Sequence, residues 1–309
     1  MIKVLRIVVS LLVMVTLGIW LGHKQKVPQF TLKEEVERTL RARMDSSQGV
    51  FCLKDESLSS LDDVLEYYKK FEYFPAWIGK NGQLPIVDSL ITNIKEAVFD
   101  GFNPSDYHLS IIEALQKELM KYEEKTKDST LINKWADFEL LLSDAFFTYA
   151  TNQYAGRIHS KKYNIEWKDH LASINVIDSL KSAIEKNRIR ETINNFSCNQ
   201  PQYKKLKTLL KKYIDIDKGG GWPLLPKDTR LKSNDKNIKV IILRKRLAIT
   251  GELTKANSDS LFDSILVEAV KKFQRRYGLK DNGSVDLVTL NELNIPAKER
   301  IKQIVLNMC

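Results

Sequence analysis

The sequence predicts a mainly α-helical protein. An N-terminal membrane anchor over residues 1–26 leads to an all-helical domain over 30–217. A linker over 218–237, a small three-helix module over 238–295 and a short closing segment over 296–309 follow. Three observations carry this reading. Apolar residues recur at spacings of three and four through most of the chain, and almost no run alternates as a half-buried strand would. Clusters of Gly, Pro and Asn punctuate these stretches. A 43% hydrophobic and 28% charged composition over 309 residues suits a chain that buries a core, not a disordered one.

The elements follow in order. Residues 7–22 carry no charge; Lys3 and Arg6 precede them, and His23, Lys24 and Lys26 follow. A spanning helix needs about 17–25 apolar residues, and Val4 and Leu5 extend the run. The run reads as a secretory signal, for which Thr16-Leu17-Gly18 is a weak cleavage candidate, or as an uncleaved anchor with the rest exported, and the anchor is the preferred expectation. A short helix is expected at Leu32–Arg43. Ser59 and Asp62 suggest a cap before Leu61, Val64, Leu65, Tyr68 and Phe71. Pro75 then breaks the helix, and Trp77 folds back to the core.

Ile86–Phe99 is helical and stops at Asp100-Gly101-Phe102-Asn103-Pro104. Ser110 to Glu113 spells a capping box for a helix burying Ile112, Leu115, Leu119 and Tyr122, with Glu113 and Lys117 paired outside. The longest helix is Leu131–Tyr154, with Leu131, Trp135, Phe138, Leu142, Ala145 and Tyr149 inward and Gly156 ending it. A polar loop holds Arg157, His159 and Trp167. Ile177–Lys186 and Ile189–Phe196 are helical, and Pro201 opens a further helix at Tyr203–Ile214.

In the last module, Ile238–Thr250 carries a stripe of Val240, Leu243 and Leu247 and stops at Gly251. Asp263 caps a helix with Leu266, Val270, Phe273 and Tyr277 on one side. Gly278 ends it in the left-handed conformation. Asn282-Gly283 makes a turn, and Thr289, Leu290 and Leu293 form a second short apolar face.

Composition narrows the chemistry. Lys and Arg number 49 against 39 acids, a net charge of +10. That excess suits an anionic partner or a solvated lysine-rich surface. No aromatic-interleaved basic motif points to nucleic acid. The four histidines show no His-Glu-x-x-His pattern or paired spacing, so no metal and no cofactor are expected. Adjacent acids such as Asp62-Asp63 read as helix caps and solvated faces. Cys52, Cys198 and Cys309 are too few for a disulfide framework. Export permits a Cys52–Cys198 bridge, and two buried thiols are the alternative.

Residues 269–290 resemble the peptidoglycan-binding repeat, A-V-x-x-F-Q-x-x-x-G-L-x-x-D-G-x-V-G-x-x-T-L. Ala269, Val270, Phe273, Gln274, Gly278, Leu279, Gly283, Val285, Thr289 and Leu290 match. Asn282 stands for the acid and Asp286 for the second glycine. The wider chain is similar to the large murein L,D-transpeptidases from about residue 59 to 308. The similarity rests on Phe74-Pro75-Ala76-Trp77, the Ala97–His108 turn, Leu142-Ser143-Asp144-Ala145-Phe146, Gly220-Gly221-Trp222-Pro223, Leu243-Arg244-Lys245-Arg246-Leu247 and Arg300 through Met308.

The resemblance implies a scaffold domain followed by a peptidoglycan-binding domain. It places them in the bacterial cell envelope, anchored in the inner membrane and facing the periplasm. It further implies peptidoglycan as partner, alongside other cell-wall enzymes, and a role in wall biogenesis. The family's nucleophile is a Cys in a Ser-x-Gly-Cys-x-Arg setting with an upstream His. None of the three cysteines has that setting, so no catalytic residue and no enzyme activity are expected of this chain. The alternative is a truncated 3→3 cross-linking L,D-transpeptidase whose catalytic part is lost or encoded separately. Wall contact is expected at Gln274 and Arg275, facing outward after the buried Phe273, and at Asn282 and Asp286 on the adjoining turn. Lys272 and Arg276 would add attraction to acidic stem peptides.

Overall fold

A computed structural model describes residues 30–45, 56–121, 128–155 and 175–308. Twelve α-helices, two short 3-10 helices and three isolated β-bridges, with no extended strand, make up the regular structure of these residues. The predicted anchor over 1–26, and Cys52, Tyr122, Gly156, Arg157, His159, Trp167 and Cys309, lie outside them. Among the described residues no helix is long and apolar enough to cross a membrane.

The helical domain is built around one long helix. α1 (Leu32–Asp45) opens with a reciprocal cap: Thr31 Oγ1 accepts from the Glu34 N–H, and the Glu34 carboxylate accepts from the Thr31 N–H. α2 (Leu61–Lys70) begins with acids and ends with lysines, complementing its dipole. α3 (Ile86–Glu96) tightens into a 3-10 turn over Ala97–Asp100 and stops at Gly101, whose φ is 81°. A second 3-10 turn, Pro104–Tyr107, leads into α4 (Leu109–Leu119). α5 (Ser129–Ala155) is the axis, and α1, α2, α3, α4, α6 (Val176–Glu185) and α7 (Ile189–Phe196) pack round it. Being surrounded, α5 buries almost every residue from Ala136 to Ala150.

Two local expectations fail. Neither the Ser59 cap nor the Ser110–Glu113 box forms. α2 starts after Ser60, whose N–H donates to Asp144 at 2.7 Å. α4 starts one residue before Ser110, after His108 in the left-handed region. Glu113 pairs across to Lys95 at 2.7 Å and not to Lys117.

α8 (Pro201–Lys218) carries the chain to the module, which holds α9 (Ile238–Thr250), α10 (Ser264–Arg276) and α11 (Leu287–Leu293). Leu225 and Leu231, from the connecting segment, enter the module core beside Leu243, Phe262, Phe273 and Leu290. α12 (Ala297–Leu306) then returns along α8. Leu210, Tyr213, Trp222, Ala297 and Ile304 form a small core at that junction.

Candidate functional site

The helical domain concentrates polar groups in its centre. Glu139 on α5 is fully buried. It accepts the Ala76 and Trp77 N–H groups and the Tyr68 hydroxyl, the last at 2.7 Å. One turn on, Ser143 accepts the Trp77 indole N–H at 2.9 Å and pairs with Tyr68. Burial pushes the Glu139 carboxyl up to about 7, against these hydrogen bonds and Lys33, which pull it down.

Asp144 is as deeply buried, and His108 sits between two acids. The imidazole meets Asp144 at 2.8 Å and Glu56 at 3.0 Å. Burial lowers its pKa, but the hydrogen bonds and charges of Asp144 and Glu56 outweigh that, and the net shift is upward.

These groups fasten loops to the axis. Glu72 and Tyr73 both have positive φ, 55° and 65°, a costly pair for non-glycine residues. They are held by Tyr73 N–H to Tyr68 O at 2.7 Å and Arg41 to Glu72 O at 3.1 Å. Every polar atom of Glu139 points at the protein's own backbone or Tyr68, an arrangement for positioning a loop. Among the described residues no group of His, Cys, Asp and Glu is placed to hold a metal. Cys198 is a free thiol; a bridge to Cys52 lies outside the described residues.

In the module, Phe273 is fully buried, as its position in the stripe requires. Gln274 is fully buried as well, which corrects the expectation that it faces outward. Its Nε2 shares its two hydrogens among Asn282 Oδ1 at 3.1 Å, Ser284 O at 3.0 Å and Thr289 Oγ1 at 3.1 Å, and its Oε1 accepts the Gly283 N–H at 2.9 Å. A side chain so engaged locks the 282–289 turn to α10 and has no atom left for a ligand.

Gly283 is required there twice over. Its φ is 74°, and a Cβ would lie 2.8 Å from Val267 Cγ1. Arg275 is exposed and pairs with Asp281 at 3.1 Å. Asn282 is exposed, and its Oδ1 also accepts the Ser284 N–H at 2.9 Å. An amide oxygen suffices for both bonds, so the acid of the repeat is dispensable. Asp286 has a φ of −84° and caps α11, accepting the Thr289 N–H at 2.8 Å. That bond, above all, holds its carboxyl below the usual range. The second glycine is therefore not needed at this position. Lys272 is exposed, whereas Arg276 pairs with the buried Glu252.

The end of the module that faces the helical domain is built from arginine and aromatic side chains. Arg246 is fully buried. Its guanidinium carbon lies 3.9 Å from the Trp222 ring centroid, and it donates to Leu293 O at 3.0 Å and Thr250 Oγ1 at 2.9 Å. Burial lowers its pKa to about 10. Tyr213 of α8 meets Tyr277 at 3.2 Å, and Lys212 donates to Thr250 O at 3.0 Å. Arg300 of α12 lies over the Tyr277 ring at 4.2 Å and pairs with Glu292. None of this is visible in a hydropathy pattern, because charged letters at 246 and 300 read as surface. For the α5 network the available signal was the polar letters Glu139, Ser143 and Asp144 set among the apolar residues between Phe138 and Phe147.

Residues 62–210 match the family described as a scaffold domain, the one that L,D-transpeptidases carry. Residues 237–293 match a peptidoglycan binding domain family. A search of curated proteins found no match to the chain.

Proposed function

Because the chain carries the scaffold domain and the peptidoglycan-binding domain of the large murein L,D-transpeptidase family, we propose that it is an envelope protein that holds peptidoglycan in place and performs no chemistry on it. Residues 1–26 anchor it in the inner membrane, with the domains in the periplasm, where it serves wall biogenesis beside other wall enzymes. The observation that carries this reading is the complete fold of the module. The Phe273 core, the Gln274 lock, and Gly278 and Gly283 at positive φ are all in place. The two departures from the repeat, Asn282 and Asp286, are absorbed as an acceptor and a cap.

Arg275, Asn282 and Asp286 remain exposed along the turn and are the polar contacts assigned to the wall polymer. The module and its flanks, residues 219–308, hold 17 of the lysines and arginines against 10 acids, so most of the chain's positive excess sits here. Stem-peptide carboxylates are attracted to such a body, and salt weakens the attraction. The test is co-sedimentation of the whole chain with insoluble sacculi at low and high salt. The chain sediments at low salt and less so at high salt. A folded chain left in the supernatant at low salt makes the module a spacer and overturns the binding claim.

A further inference from the structure

The three module helices run in one sense between two ends. The C-terminal ends face the helical domain: Thr250 accepts from Lys212 and Tyr277 meets Tyr213, both on α8, and α11 runs on into α12, which packs along α8. The starts of the helices therefore gather at the end away from it. The 231–237 segment ties them together. Leu231 bridges Val285 just before α11, and Lys236 bridges Leu261 just before α10. The Asn237 N–H, at the head of α9, donates to Ser260 O at 2.9 Å. Gly283 sits against Val267 in the first turns of α10, so the starts of α10 and α11 are neighbours.

That end leaves large aliphatic side chains in water. Ile238 is 71% exposed, Ile265 64%, Val288 61%, Leu287 51% and Leu261 38%. Scattered apolar exposure is ordinary, but five such side chains at the converging starts of three helices form a patch. The carboxylates around it are already engaged. Asp228 pairs with Lys239, Asp263 with Arg244, Asp286 caps α11, Asp235 accepts the Lys232 N–H, and Asp259 the Leu261 N–H. The exposed Lys232 and Lys236 have no ion pair among the described residues.

We infer that this free end is the surface on which the module takes the peptide stem of peptidoglycan. Methyl side chains of the stem lie on the aliphatic floor, and its carboxylates meet Lys232 and Lys236. The inference rests on the peptidoglycan-binding reading above and adds where and by which part of the polymer. A second copy of the chain is disfavoured as occupant, since two bodies of net charge +10 repel. Glycan freed of its stems by an amidase keeps a lactyl carboxylate on each muramyl residue but has no peptide side chains, so it answers the lysines and leaves the aliphatic floor uncovered.

The test uses whole-chain variants Ile265→Asp and Val288→Asp, both at exposed positions and each checked for native helicity by circular dichroism. Binding is measured to intact sacculi and to sacculi stripped of stem peptides by an amidase, with free tetrapeptide as competitor. Each variant is expected to lose about tenfold in affinity, the scale of one lost apolar anchor. The wild type is expected to bind stripped glycan poorly and to be displaced by tetrapeptide. Wild-type binding that both variants retain would move the surface elsewhere and leave peptidoglycan binding intact. Equal binding to stripped glycan would overturn the peptide stem as ligand. A wild type that fails to bind intact sacculi overturns this inference together with the reading beneath it.

Discussion

At the scale of single residues, the positions that matter most are polar and buried. Glu139 is matched by hydrogen bonds yet carries a carboxyl raised to about 7 by its burial. A raised acid favours the folded state below its unfolded pKa of 4.5 and loses that contribution as pH rises through the folded value. His108, raised above 6.5, acts in the same direction at higher pH. Urea unfolding of Glu139→Gln across pH 4.5 to 7 should therefore give a flatter stability profile than the wild type; an unchanged slope would remove Glu139 as the titrating group.

Gln274→Ala leaves the Gly283 N–H without its buried acceptor, at a cost of about 1–3 kcal/mol. The larger Phe273→Ala cavity costs about 3–5 kcal/mol. Thermal melts should rank the two in that order. A Gln274→Ala variant as stable as wild type would mean that the turn is held by other contacts. The buried Gln was legible as part of the repeat but not as a lock, because a polar letter next to a buried Phe reads as solvent-facing until the turn folds over it.

At the scale of elements, apolar spacing located the helices well. Ile189–Phe196 and Ile238–Thr250 match the predicted bounds, and Leu131–Tyr154 is extended only to 129–155. Starts were less legible. Two sequence caps were passed over because Ser60 and His108 are held from α5, a tertiary demand no local pattern contains. The glycine-rich stretch after α8 was equally opaque. It reads as a loose connection, yet Trp222 is buried between Arg246 and Tyr213. Trp222→Ala should cost about 3–5 kcal/mol and raise amide exchange in α12 while leaving α5 protected. Uniform exchange in wild type and variant would mean that the junction does not fix the module to the helical domain.

At the scale of the whole molecule, two domains are joined by α8, α12 and an arginine–aromatic contact, so the module is presented from a fixed base. A fixed base and a folded binding repeat suit a protein that positions a polymer. Incubated with tetrapeptide muropeptides, the whole chain should yield no 3→3 cross-links by mass spectrometry. Cross-links abolished by Cys52→Ala or Cys198→Ala would make it an enzyme.

The most direct test of the central claim is hydrogen–deuterium exchange of the whole chain with and without solubilised peptidoglycan fragments. Wall binding through the module should protect residues 228–238, 260–268 and 275–290 and leave the α5 network unchanged. No protection in the module, or protection confined to the helical domain, would contradict it.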